Sequence, residues 1–270
     1  MEEAGCPYEF DVIGFQLWKR WVKANDESLP FGKVPVLYSY DPAHRGPGGE
    51  PLVLGNETAI TRFLARQLGM DGGGGGVAME AKLNMLYVQY FQTLRNNGLT
   101  HEGEHYAVGA LRESAAEADA AADAGEDAYG STHTSFTIRT SPPYRAMPRV
   151  NDFSIAERSV AALGVFEEHL GKSSTSYFAD SPAPTYVDIA IFCELFELAE
   201  PGNVPDFATR FELPLLGAHL ETMSRRPKIA AYVRSLRRMP RYKRPGYTYC
   251  AGKFSPTCEF AEEGVAVAEK

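Results

Sequence analysis

The chain has 270 residues, enough to bury a full core in one large domain or two smaller ones. Its apolar content of 44% and charged content of 23% are ordinary for a globular protein, and a net charge of −8 argues against nucleic acid as the main partner. No apolar run approaches the length of a membrane span, so a membrane partner is not expected.

Met1-Glu2-Glu3-Ala4-Gly5 is acidic and lacks the pattern of a secretory signal. Cys6, Cys193, Cys250 and Cys258 have neither metal-binding nor redox spacing, which predicts free thiols and a reducing, cytoplasmic setting. Cys193 lies within an apolar run and reads as a small core residue.

Residues 1–70 read as mixed α/β. Tyr8 to Ile13 has the pattern of a short strand. Pro30-Phe31-Gly32 is a turn that leads into a strand over Val34 to Tyr40. Pro35 has no N–H for a ladder, so it belongs at that strand's beginning or edge. The loop Asp41 to Glu50 leads to a hairpin partner at Pro51 to Leu54. Ile60, Phe63, Leu64 and Leu68 recur at helical steps, which predicts a helix from Thr58 to Leu68 that Gly69 stops.

Gly72 to Gly76 is an unbroken glycine run. It reads as a linker, because no Lys-Ser/Thr follows it to make a phosphate loop. Beyond it, residues 77–240 read as an all-helical domain. Leu83, Leu86, Tyr87, Tyr90, Phe91 and Leu94 form a stripe on a helix over Met79 to Asn96. Residues 101–149 interrupt the pattern. His101 to Gly130 holds eight acids against one arginine, and the segment reads as an exposed, partly disordered acidic insert. Ile155 to Leu170 resumes the helical spacing. Thr185 and Asp188 form a capping-box pattern before an apolar helix, which predicts a central buried helix. Leu215 to Met223 and Ile229 to Leu236 are further helices. Residues 241–270 read as a tail.

Two other patterns bear on chemistry. His101-Glu102-Gly103-Glu104-His105 fits His-Glu-x-x-His, the spacing that puts two zinc ligands on one helix face with a glutamate base. Gly103 and Glu104 suit a buried helix poorly and no third ligand suggests itself. A solvated loop is therefore expected, with no metal, and a zinc hydrolase is the remote alternative. Arg225 to Lys253 holds ten basic residues, no acid and several tyrosines. It reads as a solvated basic segment rather than a nucleic-acid strip.

Four segments in order carry a resemblance: Lys33-Val34-Pro35-Val36-Leu37, Asn56 to Gly69, Ser181 to Ala190, and Arg226 to Tyr232. Together they resemble the cytosolic glutathione transferases, most nearly the sigma-like branch. The resemblance implies a thioredoxin-like α/β domain followed by an all-α helical bundle, homodimerisation, and conjugation of the glutathione thiol to hydrophobic electrophiles. It implies a cis Pro35 that exposes the Val34 backbone to the cysteinyl part of glutathione, with Lys33 alongside. It implies Asn56 and Glu57 at the γ-glutamyl end, where a helix N-terminus favours a carboxylate. Trp21 and Lys23 would serve the glycyl end. Trp18 competes for that role, and Trp18 and Trp21 also have the spacing of a packed pair. Tyr87, Tyr90 and Phe91 would line the electrophile pocket or a dimer face, or simply pack the core.

This chain departs from the family pattern in two ways. Glu57 stands where the family has a serine. The family's first strand and most of its first helix, with the Tyr, Ser or Cys that activates the thiol, find no counterpart after Met1, and Tyr8 lies on the wrong side of the Ala4-Gly5 turn to replace it. A fragment, or a protein without that residue, both fit. A non-catalytic binding or structural relative is thus the alternative to an enzyme.

Overall fold

The computed structural model describes residues 1–9, 29–95, 106–123 and 155–235. The chain divides into two compact units. One comprises Met1–Gly73 with the chain from Lys228 onward, and the other Gly74–Pro227.

The first unit is built on an antiparallel hairpin, β1 (Val36–Ser39) and β2 (Leu52–Gly55), with Val36 opposite Gly55 and Ser39 opposite Leu52. β1 is shorter than its sequence pattern at both ends: Val34 and Pro35, joined by a cis peptide, precede the ladder and Tyr40 follows it. The connecting loop is ordered by its own polar side chains. Asp41 Oδ1 accepts from Ala43 N at 2.8 Å, and the Arg45 guanidinium donates to Gly49 O at 3.1 Å. Ser39 Oγ and His44 Nδ1 share a 2.8 Å hydrogen bond, and the His44 ring meets Phe63 edge-on at 5.0 Å.

Helix α1 (Glu57–Gln67) follows directly. Its end shows why Gly69 stops it. Met70 N donates to Ala65 O and Gly69 N to Arg66 O, which requires a left-handed residue at 69, and Gly69 has φ +66°. Tyr8 and Glu9 are not in a strand, and the rest of that predicted strand lies outside the described residues.

The second unit is helical, with α2 (Gly76–Thr93), α3 (Tyr106–Asp123), α4 (Ile155–Gly171), α5 (Tyr186–Leu198), the short α6 (Phe207–Arg210) and α7 (Pro214–Ser224). A last helix, α8 (Pro227–Val233), starts at its boundary. α5 is the central element and packs against α2, α3 and α7. Val187, Ile191 and Leu195 are fully buried on it, each contributing about 1.5–3 kcal/mol of apolar burial.

The segment before α5 is pinned by polar groups. Asp188 is fully buried. Its Oδ1 accepts from Phe178 N at 2.9 Å, and its Oδ2 accepts from Thr185 N and Thr185 Oγ1, each at 2.7 Å. Burial pushes the Asp188 carboxyl above the usual carboxylate range, while these donors and His219 pull it back. His219, also buried on α7, holds the same segment from the other side through Ser176 O at 3.1 Å and the Phe178 ring at 5.3 Å. α7 is capped by a side chain from α4: the two oxygens of Glu167 accept from Leu215 N and Leu216 N, both at 2.8 Å.

Two sequence expectations are corrected here. Residues 106–123 are not part of an exposed insert. They form α3, packed against α4 and α5, with Ala107, Val108, Leu111 and Ala115 buried. The acids of this stretch occupy its outer face, and an alanine-rich helix hides its apolar stripe among small residues. α3 is clasped at two points. Arg210 donates to both oxygens of Asp119, at 2.9 and 3.2 Å, and Arg112 donates to Asn203 at 3.1 Å. Cys193 is exposed on α5 rather than buried, because the helix turns its other faces inward.

Two stability tests follow. Asp188→Ala leaves two buried N–H groups without their acceptor and is expected to cost about 3 kcal/mol in urea unfolding, with Asp188→Asn losing less. An unchanged unfolding midpoint would mean that other acceptors replace the carboxylate. Ala179 has φ +62°. Ala179→Gly is expected to add about 0.5–1 kcal/mol, since left-handed alanine costs about 1–2 kcal/mol and glycine returns part of this in the unfolded chain.

Candidate functional site

The hairpin register places Val34-Pro35 and Asn56-Glu57 at the same end of the sheet. Val36 and Gly55 are paired, so the residues just before β1 and just after β2 leave the ladder side by side. The Pro30-Phe31 turn closes over this end. A Cβ on Gly55 would lie 3.1 Å from the Phe31 ring and 3.4 Å from Pro30, so any larger residue at 55 must push the turn away. Phe31 and Val34 are 70% and 51% exposed, which leaves an accessible surface beside the cis peptide. Lys33 and Pro35 are exposed there too.

Asn56 is the N-cap of α1, with φ 76° and ψ 120°. A non-glycine residue with positive φ is strained by about 1–3 kcal/mol, and such strain concentrates at functional sites. The surrounding bonds hold it in place. Asn56 Oδ1 accepts from Thr58 N at 3.0 Å and from Thr58 Oγ1 at 2.6 Å, and Ile60 N donates to Asn56 O at 3.0 Å. Glu57 is the first residue of α1 and is half-buried. The first turn of the helix supplies the positive end of a dipole to this surface.

The sequence-predicted residues thus fall into three groups. Val34, Pro35, Lys33, Asn56 and Glu57 converge at one end of the hairpin. Tyr87 and Tyr90 lie in the core of the helical unit at 2% and 5% exposure, with Tyr87 edge-on to Tyr186 at 5.2 Å, and Phe91 is half-buried. Trp18, Trp21 and Lys23 lie outside the described residues, as do His101 and His105. Among the described residues no group of three or more His, Cys, Asp or Glu is placed to hold a metal ion.

Thr58 was not singled out by sequence reasoning. Its signal is the Asn-x-Thr spacing at a helix start, where a hydroxyl two residues past the N-cap can reach the cap's side chain. Tyr8 is engaged elsewhere, its hydroxyl donating to a Glu2 carboxylate oxygen at 2.9 Å.

Comparison with known proteins bears on both units. Residues 148–236 match the family model "Glutathione S-transferase, C-terminal domain". A search of curated proteins finds no significant match. Among solved structures the chain is similar to a major nematode-specific glutathione S-transferase of C. elegans, with 21% identity, TM-score 0.53, and 90% of this chain and 89% of that chain covered. It is also similar to the Fasciola hepatica sigma class enzyme, with 18% identity, TM-score 0.52, and 86% and 85% covered. A third similar structure is a glutathione transferase family member from Pseudomonas fluorescens, solved with two glutathione molecules bound. It has 21% identity and TM-score 0.51, with 85% and 83% covered. At these identities the likeness establishes the fold. The hairpin-and-helix unit is the thioredoxin-like part of that fold, and the helical unit is its all-α part. The chain has the glutathione S-transferase fold.

Proposed function

We propose that the chain binds glutathione at the open end of the β1–β2 hairpin and conjugates its thiol to hydrophobic electrophiles. The observation that carries this reading is the juxtaposition of the exposed Val34, at a cis peptide, with the positive-φ N-cap of α1. Val34 N–H and C=O would pair with the cysteinyl backbone as one added strand. Asn56 and the first turn of α1 would take the γ-glutamyl carboxylate, with Lys33 adding positive charge nearby. Conjugation then requires the glutathione thiolate to attack an electrophilic carbon, forming a C–S bond and expelling the leaving group.

The second reading is a glutathione-binding protein without turnover. A cytoplasmic location accords with either reading, because glutathione is abundant where thiols stay reduced.

The fold also suggests a partner. Val77, Met85 and Val88 are exposed on α2, at 83%, 53% and 38%, on the face opposite the buried Leu83, Tyr87 and Tyr90. We propose that this outer stripe pairs with a second copy of the chain.

The wild-type protein is expected to be retained on immobilised glutathione and to turn over chlorodinitrobenzene. Val34→Pro, which removes one strand-edge N–H, is expected to abolish retention with an unchanged circular dichroism spectrum. Retention without turnover would select the second reading, and no wild-type retention would sink both. For the dimer, light scattering is expected to give twice the 29.7 kDa chain mass, falling to the single mass in Met85→Asp/Val88→Asp. A wild-type monomer, or a variant that stays dimeric, would refute the stripe as the interface.

A further inference from the structure

We propose that the helical unit carries a second ligand site, a cleft between α3 and the loop that leads into α6, suited to a small hydrophobic ammonium compound. The cleft uses no residue of the hairpin unit and does not rest on the glutathione reading.

The cleft has a volume of about 490 Å³. Small-molecule sites span about 300–1,000 Å³. Its floor is apolar: Ala115 and Val204 are buried there, and Ala116 and Pro205 continue that surface to the exposed mouth. Both walls are fixed. On α3, Arg112, Ala115, Ala116 and Asp119 recur at helical steps of three, four and seven, so they form one stripe about 10 Å long. On the loop, the Asn203 side chain accepts from Arg112 Nη1 at 3.1 Å and donates to Glu197 O at 2.7 Å. Val204 N donates to Leu198 O at 2.9 Å. A cleft held in this way costs a ligand little ordering of the protein.

Charge decides the class of ligand. Among the described residues, Arg112 and Arg210 line the cleft against Glu113, Asp119 and Asp206, which leaves one net negative charge. Arg210 is half-buried and already turned to acceptors. It donates to both oxygens of Asp119, at 2.9 and 3.2 Å, and through Nε to Asp206 at 3.1 Å. An incoming anion would have to compete with two carboxylates for that guanidinium. The carboxylates are the accessible groups. Asp119 and Asp206 are exposed, and a carboxylate has about four lone-pair sites, so the bonds to Arg210 exhaust neither. Glu113 is exposed at the mouth. An ammonium group thus meets three carboxylates around an apolar floor, and the chain's net charge of −8 adds to the attraction.

The test uses the full chain and three probes of one skeleton, phenylbutylamine, phenylbutanol and phenylbutyrate, titrated by calorimetry. Wild type is expected to bind the amine about fivefold more tightly than the alcohol, the upper range for an exposed ion pair, and the acid most weakly. Glu113→Gln is expected to reduce the amine's lead to about twofold. Ala116→Phe, which fills the cleft from an exposed helix position, is expected to abolish binding of all three with an unchanged urea midpoint. The proposal is overturned if the amine shows no saturable binding, if it does not lead the series, if its lead is intact in Glu113→Gln, or if binding survives Ala116→Phe. A tetralysine peptide bound more tightly than the amine also overturns it, by making the cleft a protein-docking surface.

Discussion

The buried carboxylate of Asp188 joins parts of the helical unit that are separated in sequence. One oxygen holds Phe178 N, and the other holds both donors of Thr185. The loop between α4 and α5 therefore cannot move without exposing N–H groups to an apolar interior. Such groups cost about 1–3 kcal/mol each when left unpaired. The same loop is met by His219 from α7, by Lys82 from α2 through Asp180 at 3.4 Å, and by Arg226 through the Tyr177 hydroxyl at 3.0 Å. Of these contacts only Asp188 and His219 are buried, so they set the geometry. The exposed Lys82–Asp180 pair adds little.

The central helix depends on this arrangement. A helix that is apolar on several faces has no intrinsic reason to choose one orientation in a bundle. The capping box fixes where α5 begins, and Phe178, fully buried and edge-on to Phe166 at 6.0 Å, fixes how that beginning sits on α4. The polar lock thus gives direction to burial that would otherwise be unspecific.

The candidate site follows a different logic. It is made by two chain reversals brought side by side through hairpin register, one with a cis peptide and one with a left-handed N-cap. A register slip of one residue would separate Val34 from Asn56 and turn every side chain of β1 to the opposite face. Gly55 is the residue on which this end turns, since the Pro30-Phe31 turn packs where a side chain would be.

Much of this was legible in the sequence. Pro35, the Asn56-to-Gly69 helix and the Thr185–Asp188 box are local signals, carried by residue types whose backbone or capping preferences act over a few positions. Those preferences are physical properties of the residues themselves and hold before any folding partner is known. Non-local facts were not legible. The acids of residues 106–123 read as an insert, because charge is counted along the chain while burial depends on one helix face meeting α4 and α5. Cys193 read as core, because an apolar run does not say which of its members faces out. Thr58 passed unnoticed, since its hydroxyl matters only once Asn56 adopts a positive φ and turns its oxygen inward. The sequence by itself determined the order of elements, their caps and the family they resemble. Only the tertiary structure decided which faces are buried and which polar groups meet, because both depend on groups far apart in the chain.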